Sequence, residues 1–165
     1  IALGYEPIGP MNYGLDRGRM AQPGSAYGVL LHATARAEKQ WPEDRWRALA
    51  TQLGNTIDLV VPYGSAAEQE RALRIASASS RARVPERQLL GDVARMIAGA
   101  SFVVGVDTGL LHLAAAFGVP LAAIFTASEP GLTGPMGSGP IAVLGSKGVV
   151  PPVDEVLAAV ARLTA

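Results

Sequence analysis

The 165-residue sequence contains no cysteine. Disulfide staples, thiolate zinc sites and cysteine nucleophiles are excluded together, a pattern that fits a reducing compartment. Histidine is scarce: His32 and His112 are the only two, too few for a histidine-rich metal cluster. Net charge is missing as well. The 14 Lys and Arg balance 14 Asp and Glu, so the broad basic footprint of a nucleic-acid binder is absent and any basic site must be local. No apolar run approaches the roughly 20 residues that a bilayer-spanning helix needs, nor does a charged stretch followed by a signal-like apolar core open the chain. A soluble protein is expected. Neither G-x-G-x-x-G nor P-loop spacing occurs, so neither standard nucleotide fingerprint applies.

What is present describes a core former. Hydrophobic residues make up 49% and charged residues 17%, and the length suits one well-buried domain. Residues 1–25 begin at Ile1 and mix Gly, Pro and polar residues with little periodicity. They read as a linker or wrap-around segment in an excised piece of a longer protein, leaving 26–165 as the domain.

Within that domain, apolar runs alternate with helical patterns. Tyr27 to Leu31 reads as a buried strand, and Pro42 opens a helix with Trp46, Leu49, Ala50 and Leu53 at helical spacing, stopped by Gly54-Asn55. Ile57 to Val61 reads as a strand, and Ala66 to Ala78 as a charged helix with Leu73 and Ala76 inward. Then come a helix (Leu89 to Ala100), a strand (Phe102 to Val106), a helix (Leu110 to Phe117) and a strand (Pro120 to Phe125). A Gly/Pro-rich loop (Ser128 to Gly139), a short strand (Ile141 to Leu144) and a last helix (Pro152 to Leu163) complete the chain. Strands apolar on both faces, each followed by a helix, predict an α/β fold with a doubly wound, Rossmann-like parallel sheet. Such sheets bind ligands beyond the carboxyl ends of their strands, which directs the search to the loops after Leu31, Val61, Val106 and Phe125.

After Val106 stands Asp107-Thr108-Gly109, then His112 in an otherwise apolar helix. Thr108 and Gly109 put free amide groups at the helix start, where they and the helix dipole favour an anion such as phosphate, and Gly109 permits close approach. Asp107 is a ligand-binding residue or simply an N-cap. His112 is within reach of the same ligand if its ring turns toward the helix start; otherwise it is a satisfied, semi-buried ring. After the first strand, Thr34 and Lys39 offer a hydroxyl and a mobile cation suited to a pyrophosphate, although lysine in a polar loop is ordinarily just solvated. Trp41 and Trp46 read as core or staple residues rather than a base-stacking platform. Glu68 is placed to accept from ribose hydroxyls, or is favoured in a first turn by the dipole alone. The loop from Thr126 to Pro140 is a shaped wall or cover, or an ordinary connector.

These segments, in this order, resemble the nucleotide-binding half of the lipopolysaccharide heptosyltransferases, the ADP-heptose glycosyltransferases of family 9 with two-domain GT-B architecture. The resemblance rests on "VDTGLLHLAAAFGVP" and "SEPGLTGP", while "HATARAEKQWPEDRW" looks closer to the type I than the type II branch. It implies a C-terminal donor-binding domain with Thr34 and Lys39 facing the diphosphate, Glu68 at the adenosine ribose and Thr108 and Gly109 supplying backbone donors. It also places Asp107 at the heptose and His112 near the phosphates. This chain departs from the family at Ala35, where a second Thr is common, at Glu129, where Asp is frequent, and around Gln88, where a Met often lies near the adenine.

The resemblance implies an inverting transfer whose general base is an aspartate of the N-terminal domain, so no catalytic base is assigned here and the fragment alone is expected to be inactive. No cofactor or metal is required: Lys39 and the helix N-terminus offset diphosphate charge. The implied partners are ADP-heptose, the N-terminal acceptor domain and, through the full enzyme, a lipid-linked acceptor (Kdo-lipid A). The implied location is cytoplasmic, at the face of the inner membrane, with an apolar docking face for the other domain. Another GT-B nucleotide-sugar enzyme and a non-catalytic α/β protein-binding module are the alternatives.

Overall fold

The computed structural model describes residues 13–21 and 24–165. Much of the expected linker therefore lies outside the described residues. Its described part includes a short helix, α1 (Arg17–Met20), whose first residue clips it to the domain. The Arg17 guanidinium donates to the carbonyls of Ala98 and Ala100 at 2.9 and 2.7 Å.

The domain proper runs β1 (Tyr27–Leu31), α2 (Glu43–Leu53), β2 (Asp58–Val60), α3 (Ala66–Ala76), β3 (Ala82–Arg83), α4 (Leu90–Gly99) and β4 (Phe102–Val106). It continues with α5 (Gly109–Ala116), β5 (Leu121–Ile124), α6 (Pro130–Thr133), β6 (Ile141–Leu144) and α7 (Val153–Leu163). All pairings in the sheet are parallel and the strand order is β3-β2-β1-β4-β5-β6. This is the doubly wound α/β architecture expected from the alternation of strands and helices.

Side chains alternate across a strand, and here the alternation fills two separate cores. Leu30, Val104, Val106, Ala122 and Ile124 pack with Trp46, Leu49, Ile75 and Val156 of α2, α3 and α7. Val29, Leu31, Val103, Leu121 and Ala123 pack with Ile97, Leu111 and Ala115 of α4 and α5 on the opposite face. The apolar runs are continuous because both faces of each strand are covered. Trp41 and Trp46 are fully buried and meet edge to face with centroids 5.1 Å apart; the Trp41 indole N–H donates to the Pro151 carbonyl at 2.9 Å. They are core residues, as expected.

Three local expectations need correction. Leu73 does not face inward; it is 53% exposed, and the buried residues of α3 are Ala72, Ile75 and Ala76. Those three share one stripe at i, i+3, i+4, and Leu73 stands about 100° round the helix from Ala72. The two-residue β3 was not anticipated, since a strand this short at a sheet edge leaves no periodic signal. The loop after β5 contains α6, opened by Pro130 in its first turn, a favoured place for proline.

His32, at the head of a polar segment, is buried completely. Burial, reinforced by the charge of Arg71, lowers its pKa to about 4, against the opposing pull of Glu68, the nearby Pro62 carbonyl and Glu43. The carbonyl approaches without a well-directed bond, and both ring nitrogens are left without a hydrogen-bond partner. The unfolded chain takes up this proton near pH 6.5 and the folded chain near 4. The stabilising preference for the neutral ring is thus complete above pH 6.5 and is lost as pH falls toward 4, by about 3 kcal/mol in all. His32→Leu is expected to flatten the stability profile in that window, as measured by urea unfolding at successive pH values. A second prediction concerns the late loop: an added Cβ at Gly137 would collide with the carbonyl of Ala115, whereas one at Gly131 meets nothing within 4 Å. Gly137→Ala is expected to lower unfolding stability by about 1–3 kcal/mol, and Gly131→Ala to change it by less than about 0.5 kcal/mol.

Candidate functional site

The strand order changes direction between β1 and β4. After β1 the chain passes to α2 on one face, and after β4 to α5 on the other, which leaves a crevice at their carboxyl ends. The register puts Leu31 beside Gly105, and Gly105 beside Ala123, so the loops following β1, β4 and β5 emerge side by side.

Asp107 is where they meet. It is 7% exposed, and its Oδ2 accepts from Lys39 Nζ of the first loop and from Ser128 Oγ of the third, each at 2.6 Å. Thr34 Oγ1 donates to the Asp107 backbone carbonyl at 3.1 Å, and Thr126 Oγ1 to the Glu38 carbonyl at 2.8 Å. Burial opposes the charge of Asp107, but the hydrogen bonds from Lys39 and Ser128, with the charges of Lys39 and His112, outweigh it and hold the carboxyl below its ordinary pKa. An ionised carboxylate and an ammonium thus share a half-enclosed site.

Thr108 occupies the N-cap position of α5 but makes no side-chain capping bond. Beyond it, a Cβ built on Gly109 meets nothing within 4 Å. The helix mouth is open, and Asp107, the residue immediately before Thr108, carries the Lys39 ammonium. His112, one turn into α5, is exposed; it acts on Asp107 through its charge alone, and the semi-buried placement considered for it does not occur.

A cavity of about 340 Å³ adjoins the mouth, lined by His32, Thr34, Glu68, Gln88 and Thr108 among others. Glu68 enters it from the first turn of α3. Ser65 caps that helix by accepting from Glu68 N at 3.3 Å, and Glu68 Oε2 accepts from Gly64 N at 2.7 Å, a close relative of the capping box. Glu68 therefore has its local structural role and a place in the cavity wall together.

Of the seven residues singled out by sequence, Thr34, Glu68 and Thr108 line the cavity, Lys39 and Asp107 form the ion pair beside it, Gly109 opens the mouth, and His112 stands outside in solvent. Ser128 and His32 were missed, and Gln88 stood out only as a departure from the family pattern. The signal for Ser128 was its place in the loop shortly after the end of β5; its neighbour Glu129, the residue that departs from the family, is exposed. Among the described residues no group of three or more His, Asp or Glu side chains is arranged to hold a metal ion.

Comparison with known proteins identifies the family and the fold. Residues 11–155 match the model of glycosyltransferase family 9 (heptosyltransferase). Over 144 residues the chain is 46% identical to lipopolysaccharide heptosyltransferase 1 of Pseudomonas aeruginosa, which accounts for 82% of this chain and 39% of that protein. The chain thus spans about two fifths of the length of this relative. The solved structure of E. coli heptosyltransferase WaaC with ADP superposes with a TM-score of 0.86 at 33% identity, covering 97% of this chain and 52% of that one. The same enzyme with ADP-2-deoxy-2-fluoro heptose gives a TM-score of 0.82 at 31% identity, covering 99% and 52%. This chain belongs to glycosyltransferase family 9, the heptosyltransferases, with the α/β half of a GT-B fold.

Proposed function

We propose that this chain is the donor-binding part of an inverting heptosyltransferase that holds ADP-heptose for transfer to the inner core of lipopolysaccharide. One observation carries this reading: the uncapped mouth of α5 opens beside the Lys39–Asp107 pair and next to a cavity walled by Glu68. The diphosphate lies against the amides of the α5 mouth, where the helix dipole and the lysine offset its charge. An ammonium has three donors, so Lys39 can keep one on Asp107 and turn others toward phosphate oxygens. Thr34 adds a hydroxyl, Glu68 accepts from the ribose, and Asp107 accepts from the hydroxyls of the heptose. His112 approaches the phosphates from solvent.

The acceptor hydroxyl attacks the anomeric carbon, the bond from that carbon to the ADP oxygen breaks, and ADP departs with the electron pair. Stabilising the charge that gathers on the leaving diphosphate is the part of catalysis these residues supply. The base that takes the acceptor's proton is assigned to the domain of the full enzyme that faces this crevice, which also presents the lipid-linked acceptor. No helix of the described residues is long and apolar enough to cross a membrane; the acceptor is reached from the membrane surface.

Calorimetric titration tests the reading. ADP is expected to bind more tightly than UDP or GDP, and Lys39→Ala to weaken ADP about 10- to 100-fold, the worth of a charge-assisted contact. Absence of ADP binding by the unaltered chain would favour a protein-binding module, and equal binding of the three nucleotides another class of nucleotide-sugar enzyme. Asp107→Asn is expected to preserve ADP binding while removing most of any added affinity for ADP-heptose. A parallel loss for both ligands would mean that Asp107 serves the phosphates rather than the sugar.

A further inference from the structure

Arg71 stands on α3 three residues after Glu68, so the two side chains share a face of that helix. Its side chain is only 11% exposed. A charge withdrawn so far from water must be met by acceptors, and the guanidinium finds them in one loop. Nη1 donates to Gln40 Oε1 at 2.5 Å and Nη2 to the Trp41 carbonyl at 2.6 Å, the two residues that follow Lys39; Nε faces Glu43 Oε2 at 3.9 Å. On the other side of Lys39, the Glu38 carbonyl accepts from Thr126 Oγ1. The lysine ends a single 3₁₀ turn, Ala37–Lys39, so its direction is set by what holds that turn at either end. We infer that Arg71 is a positioning residue: by gripping Gln40 and Trp41 it fixes the backbone from which the Lys39 ammonium reaches the diphosphate.

The assignment rests on the nucleotide reading above, in which Lys39 meets the diphosphate and Glu68 the ribose. A lysine is a point charge on a flexible four-carbon stem, so where its ammonium can rest depends on where the backbone puts its Cα. Arginine suits the opposite task, because its planar fork holds two acceptors at a fixed separation. Thr126 secures the turn from the β5 loop and Arg71 secures it from α3. Since Glu68 projects from the same helix, one rigid element sets the ribose contact and, through Arg71, the phosphate contact. The spacing of the two subsites is thereby tied to α3. Both arms of the fork are engaged by the loop, so Arg71 acts through Lys39 rather than on the ligand. Its charge does reach the cavity wall at His32, so the test must separate grip from charge.

Calorimetric titration with ADP compares the unaltered chain with Arg71→Lys, which keeps the charge but cannot span both acceptors, and with Arg71→Met, which removes charge and grip together. Each replacement is also combined with Lys39→Ala. Urea unfolding checks that the variants are folded, and Arg71→Lys carries the test where Arg71→Met is not. Each replacement alone is expected to weaken ADP about five- to tenfold, an ordinary coupling between neighbours. Once Lys39 is alanine, neither is expected to weaken it further by more than about twofold. Full affinity in Arg71→Lys would overturn the assignment, since charge alone would then suffice. Losses that multiply with that of Lys39→Ala would overturn it too, being independent of the lysine, and so would an affinity indifferent to Lys39→Ala. Each of these results leaves a nucleotide site standing, whereas absence of ADP binding by the unaltered chain would overturn both readings.

Discussion

A carboxylate held in a crevice by a lysine and a serine from two other loops is the constraint on which the rest of this site depends. Asp107 is nearly buried, and its charge is tolerable only because Lys39 and Ser128 satisfy it. A buried pair of this kind returns little net stability, since desolvation offsets most of the attraction. Its effect is geometric: three loops that share no sequence neighbourhood are drawn to one point, with Thr34 and Thr126 fastening the loop after β1 to its neighbours. The same pair is chemically unfinished. Lys39 has donors to spare and α5 has uncapped amides, so positive potential remains for an anion after the internal charges are balanced.

The sheet makes that meeting possible. Strict alternation along β1, β4 and β5 feeds two cores, which rigidify the strand ends from both faces and leave the loops to vary. The reversal of winding between β1 and β4 parts the helices α2 and α5 and opens the crevice between them. The close approach of the late loop to α5 at Gly137, and to Gly118 just beyond that helix at Gly139, anchors the far end of the loop that delivers Ser128.

The cavity beside the helix mouth differs in character from the ion pair. Its polar atoms are incompletely satisfied: the Gln88 oxygen and both His32 nitrogens lack partners, whereas Asp107 Oδ2 accepts from both Lys39 and Ser128. Under-satisfied groups in an otherwise well-packed interior are costly; three such atoms belong to residues lining this cavity, while the buried indole nitrogen of Trp46 is another that lies outside it. Glu68 belongs to both, capping α3 with one oxygen while facing the cavity.

Much of the architecture was legible before any coordinates. Continuous apolar runs such as Val29-Leu30-Leu31 and Phe102-Val103-Val104 report strands covered on both faces, because only burial on both sides removes the need for polar alternation. The helix start after β4 was equally legible, since Thr108-Gly109 interrupts an apolar run where a strand hands over to a helix. Pairings between distant segments were not. Nothing local says that Lys39 lies on Asp107, that Ser128 rather than Glu129 completes the cluster, that Leu73 faces solvent, or that His32 is buried and His112 exposed. Periodicity and backbone preference are properties of neighbouring residues and survive in the sequence. Which side chains meet across 68 or 21 positions depends on strand order and register, and those are settled only when the sheet assembles.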